Sequence, residues 1–159
     1  MKKLSKLSIA LVAASLLTAS AGAADHGHST AAHVMQKSPK GAKAYIVNLR
    51  DGKTYKGKVK VIFGLSGMGI SPAGITASGQ PIPDTGHHHL LVDVDKLPPL
   101  NQPLPADKPD TFKHFGKGQT ETTLELAPGK HTLQLILADY GHVPHDPPVM
   151  SKKITITVE

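Results

Sequence analysis

The sequence predicts an all-β domain. The expected architecture is a small antiparallel immunoglobulin-like β-sandwich of six to seven strands with long Gly/Pro-rich loops. Three observations predict it. Apolar residues recur with period two from residue 44 onward, which is the spacing of a half-buried strand and not of a helix. Glycine and proline cluster between these runs, where they break strands and form turns. No stretch within the same region carries a helical period over the length a helix needs.

The elements follow in order. Tyr45, Val47 and Leu49 alternate with Ala44, Ile46 and Asn48, and Asp51-Gly52 marks a turn. Val59, Val61, Phe63 and Leu65 alternate with Lys58, Lys60, Ile62 and Gly64. Residues 66–86 hold five glycines and three prolines and read as a long loop. A strand is expected over 88–94. Residues 97–120 contain five prolines, so regular structure is not expected to persist there. Thr122, Leu124 and Leu126 make a short strand, and Ala127-Pro128-Gly129-Lys130 a turn. His131, Leu133, Leu135 and Leu137 alternate with Thr132, Gln134, Ile136 and Ala138. After the loop DYGHVPHDPP, Ile154, Ile156 and Val158 alternate with Thr155 and Thr157 in a last strand.

The N-terminus reads differently. Lys2, Lys3 and Lys6 precede the apolar run LSIALVAASLL, and Ala21-Gly22-Ala23 supplies small residues for cleavage. That is the pattern of a secretory signal peptide over residues 1–23, bacterial in style, and it implies a periplasmic or secreted protein. Residues 24–43 are small and polar without periodicity, a flexible segment ahead of a single domain over 44–159. No later stretch approaches the ~20 apolar residues of a membrane span. The net charge of +6 falls to +3 without the three leader lysines, and only three Phe, three Tyr and no Trp offer stacking surfaces. Nucleic-acid binding is therefore not expected. The absence of cysteine excludes a disulfide, a thiolate metal site and a Cys nucleophile. The domain must hold by burial alone.

Five blocks in order, FGLSGMGISPAG (63–74), TGHHHLLVD (85–93), HFGKGQTETTLEL (114–126), PGKHTLQLILAD (128–139) and HVPHDPPVMSKKITI (142–156), resemble the bacterial family called domain of unknown function 4399. The resemblance spans roughly residues 60–158. It implies an exported β-domain in which these histidine-bearing blocks belong together. It implies no reaction and no catalytic residue.

The triplet His87-His88-His89 is internal and runs into LLVDVD. Strand alternation splits it. His88 shares a face with Leu90, Val92 and Val94, so it is expected to point into the core as a structural histidine bonded to a backbone carbonyl. His87 and His89 share the opposite, outward face with Leu91, Asp93 and Asp95. An H-x-H pair on a strand can offer two imidazoles to one ion, and zinc and copper both accept imidazole. Further ligands must come from His114, His142 or His145. His131 is expected to point inward with Leu133, Leu135 and Leu137 as a second structural histidine. Met68 and Met150 are soft donors suited to Cu(I), though a lone Met more often packs. Cleavage after Ala23 would also create an N-terminal Ala24-Asp25-His26, with His28 and His33 nearby, whose amine, amides and imidazole suit a square-planar Cu(II).

Three function classes compete. The first is an exported binding protein that holds copper or zinc through His87, His89 and some of His114, His142 and His145. The second is a structural or protein-interaction module of the cell envelope, with the Pro-rich loops as its surface and an envelope protein as partner. The third, an enzyme with a His-bound metal and Glu121 as base, ranks last. Ser66 in G-L-S-G-M-G does not match the nucleophile-elbow pattern, and no spacing joins a serine, a histidine and an acid. The chain is therefore expected not to be an enzyme.

Overall fold

The computed structural model describes residues 34–74, 76 and 80–159. The expected leader, the segment up to His33 and the candidate copper site Ala24-Asp25-His26 lie outside the described residues. Among the described residues, nine strands form two sheets packed as a sandwich: β1 (Lys43–Ile46), β2 (Thr54–Tyr55), β3 (Val59–Ser66), β4 (Gly69–Ile70), β5 (Thr85–Val92), β6 (Phe112–His114), β7 (Glu121–Leu124), β8 (Gly129–Ala138) and β9 (Ile154–Val158). One sheet runs β1-β3-β7. The other runs β2-β9-β8-β5-β4, with β6 also paired to β5.

The six longer strands are those that the alternation marks. β2, β4 and β6 have two or three residues each, too few to show a period. β4 and β6 interrupt stretches expected to be loop. Both serve the same purpose: they share the edge of β5 that β8 leaves open. β4 pairs in parallel with Thr85 and Gly86, and β6 pairs antiparallel with His89 to Leu91. Between them, the Phe115 amide donates to the His88 carbonyl (3.0 Å). The central strand thus has both edges bonded.

The main core lies between the sheets. Val59, Val61 and Phe63 of β3 and Leu124 of β7 meet Leu90 and Val92 of β5, Leu133, Leu135 and Leu137 of β8, and Ile156 and Val158 of β9. A second apolar cluster lies on the far face of the larger sheet. There Leu91, Ile136 and Ala138 are covered by Val94, Leu104 and Phe112. The expected outward face of β5 is therefore not open to solvent: the Pro-rich segment folds back over it. Val94 also departs from expectation. Asp93 has a positive φ of 54°, so the alternation breaks there and Val94 turns onto the second face. Within the expected flexible segment 24–43, the described residues are tied down. The Ser38 amide donates to the Asp146 carbonyl (3.2 Å), the Asp146 amide to that of Gln36 (3.0 Å), and Lys37 pairs with the Asp146 carboxylate.

Candidate metal centre

The site is built on β5. His87 and His89 point to the second face, with ring centroids 4.8 Å apart. Both are buried, at 0% and 3% exposure. β6 adds a third imidazole through register: His114 stands directly opposite His89 in the ladder. Directly opposed side chains are close enough to share a ligand, and the His114 ring lies 5.0 Å from both His87 and His89. The donor nitrogens of these three residues lie within 4.8 Å of one another.

A turn brings a fourth ring, His142, close to these three, outside the group whose donor nitrogens converge. After β8, the buried Asp139 accepts the amides of Gly141 (2.9 Å) and Val143 (3.1 Å) with one carboxylate oxygen, while its carbonyl accepts the His142 amide (3.0 Å). These bonds hold His142 at φ 67°, the left-handed region. Its ring lies 5.0 Å from His87, 4.8 Å from His114 and 6.1 Å from His89.

The close quarters have two electrostatic causes and one consequence. Burial first, then the neighbouring imidazoles His142 and His114, depress the His87 pKa to about 3. Burial and then His87 depress His89 to about 2. Burial and His142 also lower His114. His87, His89 and His114 are thus held toward the neutral form, the form that ligates metal. Both nitrogens of His87 and Nδ1 of His89 have no hydrogen-bond partner among the described residues. Buried polar atoms in that state call for an explanation, and a ligand supplies one.

His114 depends on Gly116. A Cβ at residue 116 would sit 2.3 Å from Cε1 and Nε2 of His114, so its ring occupies space that only glycine leaves. Beside the cluster opens a cavity of about 340 Å³, lined by His89, His114 and His142 together with Leu104, Phe112 and prolines of the covering segment.

The remaining expected residues fall elsewhere. His145 is buried but does not join the four rings: its Nε2 faces the Thr85 carbonyl at 3.2 Å. His88 points between the sheets, as alternation requires, and packs edge-on against Phe63 at 5.2 Å. The expected hydrogen bond to a carbonyl is not formed. Neither ring nitrogen has a partner among the described residues, because the apolar core around it presents none. Burial lowers its pKa to about 4. His131 is not a core residue. It sits at the end of β8, with Nδ1 2.7 Å from the Asp93 carboxylate and Nε2 2.8 Å from the Ala127 carbonyl. Two acceptors require two N–H donors, so the arrangement suits the imidazolium, and the bond to Asp93 raises its pKa. Met68 and Met150 pack against the two apolar clusters. Glu121 pairs with Lys60 at 2.9 Å on an exposed surface.

The geometry defines a β-sandwich with a histidine cluster that could hold a metal ion. The chain belongs to the family described as a domain of unknown function, DUF4399, which matches residues 61–159. No curated protein matches it in sequence. Two solved structures are similar. One is the endo-beta-1,4-mannanase from Thermotoga petrophila, with 16% identity and a TM-score of 0.38 over 74% of this chain and 20% of that one. The other comprises the fibronectin(III)-like modules of CbhA from Clostridium thermocellum, with 11% identity and a TM-score of 0.37 over 79% of this chain and 46% of that one. The chain spans less than half the length of either.

Proposed function

We propose that this chain is an exported, periplasmic binding protein that holds one zinc ion through His87, His89, His114 and His142. The observation that carries the reading is the convergence of the donor nitrogens of His87, His89 and His114 within 4.8 Å of one another, to which the ring spacing of His142 adds a fourth candidate. An ion ~2.05 Å from a coordinating nitrogen stands ~3.2 Å from the ring centroid, so four tetrahedral imidazoles have centroids ~5.2 Å apart. Five of the six separations here are 4.8–5.0 Å and the sixth is 6.1 Å. A square plane would instead require four at ~4.5 Å and two at ~6.4 Å. That disfavours Cu(II), and the absence of methionine sulfur from the cluster disfavours Cu(I). Export follows from the leader-like N-terminus.

Binding fits better than catalysis. No carboxylate lines the cavity beside the cluster, and Glu121 is engaged with Lys60, so no carboxylate of the described cavity lining stands ready as a general base for a metal-bound water. The test is calorimetric titration of the metal-free protein with Zn(II) and Cu(II), with His26, His28 and His33 changed to Ala to silence the N-terminal segment. One zinc per chain is expected, bound more tightly than 1 μM. The His87→Ala/His89→Ala variant should lose at least roughly 100-fold in affinity, since even outer-shell losses cost 10–100-fold. Zinc binding undiminished in that variant, or no binding at all, would overturn the reading.

A further inference from the structure

We propose that the free edge of β7 is a docking site for an extended, basic segment of a partner protein, which joins the smaller sheet as a fourth strand. The site is separate from the histidine cluster, and none of His87, His89, His114 and His142 lines it.

β7 ends the sheet β1-β3-β7, and no strand is bonded to its outer side. The Phe63 amide donates to the Thr120 carbonyl (2.8 Å), and Val61 stands opposite Thr122. Alternation in an antiparallel ladder then turns the amides and carbonyls of Thr120, Thr122 and Leu124 toward β3, and those of Glu121 and Thr123 outward. Among the described residues, no backbone hydrogen bond reaches these outward groups. Unpaired edge groups of this kind are the template on which an extended peptide adds a strand.

Beside the edge runs a groove of about 470 Å³. Residues 122–126 bound it on one side, the length of a short strand, and residues around β5 and β6 bound it on the other. Val92, Leu124 and Leu126 supply its apolar positions. A strand sends alternate side chains to opposite faces. An incoming one can set one row against these three residues and the other beside Glu121, Thr123 and Glu125, all exposed.

Charge selects the occupant. Asp93, Asp110 and Glu125 line the groove against a single cation, Lys113, in a chain whose formal net charge is +6. His131 holds Asp93 and Lys58 holds Glu125. Asp110 has no ion-pair partner among the described residues. Opposite charges across a ladder stabilise it and like charges oppose it, so Lys or Arg is favoured beside Glu121 and Glu125. A second copy of the edge is not: paired antiparallel about Thr123, it would set Glu121 of one copy against Glu125 of the other.

The test titrates the full chain with the blocked peptide Lys-Val-Lys-Val-Lys-Val and with Glu-Val-Glu-Val-Glu-Val, by calorimetry and by residue-resolved amide hydrogen exchange. The basic peptide should bind with a Kd of about 100 μM or tighter, at least ~10-fold more tightly than the acidic one. It should slow exchange at Glu121 and Thr123 at least ~10-fold. Thr123→Pro removes an outward amide and no ladder bond, which an edge strand tolerates, and should weaken the basic peptide at least ~10-fold. Thr123→Val keeps the amide and should bind as the parent does. Asp110→Lys, at an exposed position, should weaken binding ~3-fold. If Thr123→Pro lowers the melting temperature, exchange protection and Asp110→Lys decide. Equal affinity for the two peptides, no protection at Glu121 and Thr123, or no binding tighter than ~1 mM overturns the proposal. So does dimerisation that Thr123→Pro abolishes, since the edge would then belong to a second copy. Zinc should change none of these values, so failure here leaves the metal site standing.

Discussion

The two faces of β5 bury their histidines for different ends. On one face, His88 stands alone among Phe63, Leu90 and Val92 in the inter-sheet core. On the other, His87 and His89 meet His114 and His142 beneath the Pro-rich cover. All three members of the triplet are buried and all three are pushed toward the neutral form by burial. The difference is company. A lone buried imidazole without partners is a packing element that costs stability. Two such imidazoles, His87 and His89, whose donor nitrogens converge with those of the exposed His114, form a set that could hold a metal ion. Burial alone therefore does not separate a structural histidine from a ligating one. The register of the neighbouring strand does.

The largest effect expected is on the acid side, and it should be measured on metal-free protein. The folded pKa values of His87, His88 and His89 lie near 3, 4 and 2, all below the unfolded value of 6.5. Between these limits the unfolded chain holds more protons, so stability rises with pH. It is therefore complete above pH 6.5 and lost as pH falls toward about 3. Urea midpoints at pH 7.5, 6, 5 and 4 should fall steadily. In His87→Ala/His89→Ala the decline should shrink to the share His88 carries. An unchanged slope would mean that the cluster face does not hold its imidazoles neutral.

Next in size is the pair of substitutions at His88. His88→Ala should cost about 2–4 kcal/mol, as truncation of a fully buried side chain does. His88→Leu fills nearly the same volume and removes two unpartnered nitrogens. It should be neutral or stabilising by up to ~1–3 kcal/mol. Zinc affinity should be unchanged in His88→Leu. Denaturant melts with and without zinc decide the matter, and a loss of zinc binding in His88→Leu would collapse the distinction between the faces.

How much of this was legible in the sequence follows from what sets each position. Alternation alone separates His88 from His87 and His89, because side-chain period in a strand is fixed by backbone pleat. The six longer strands and the sandwich class are legible for the same reason. His114 is legible only as a candidate. Its place opposite His89 depends on β6, a three-residue strand with no period of its own, held by its pairing to β5. The place of His142 is set by the Asp139 turn and a positive φ, which a stretch reading YGHVPHD does not announce. The same stretch offers His145 equally, and only the three-dimensional turn separates them. Nor does alternation reveal that residues beyond Asp93 fold back to cover the second face. One signal was open to reading: HFG, a histidine two residues before a glycine, matches a ring resting on a backbone without Cβ.

That signal leads to a narrower test of the cluster face. The atoms a Cβ at Gly116 would strike are the far end of the His114 side chain, not backbone. Gly116→Ala should therefore move the imidazole and spare the fold. Zinc affinity is expected to drop roughly 10-fold, about 1.4 kcal/mol, with the metal-free melting temperature nearly unchanged. Gly86 makes the contrast. A Cβ there would lie 2.5 Å from the Ala138 carbonyl oxygen of the adjacent strand. Gly86→Ala should lower the melting temperature, because only backbone can yield. Equal loss of stability in both variants would deny Gly116 a role specific to His114.

The smallest effect belongs to the histidine that works in the opposite sense. His131 gains a partner on folding, and its pKa rises through the bond to Asp93. A raised folded pKa contributes stability that is fully present below the unfolded value of 6.5 and is lost as pH rises through the folded value. The sign is opposite to that of the triplet. Asp93 is 45% exposed, so solvent screens the pair, and its worth should not exceed ~1 kcal/mol. Asp93→Asn keeps an oxygen for the Thr132 amide, now held at 2.8 Å, and removes the charge. It should lower stability slightly at pH 6 and have no effect at pH 9. An equal loss at both values would show that Asp93 acts through its positive-φ backbone position and not through the imidazolium. The direction in which His131 titrates would then no longer distinguish it from the three histidines of β5.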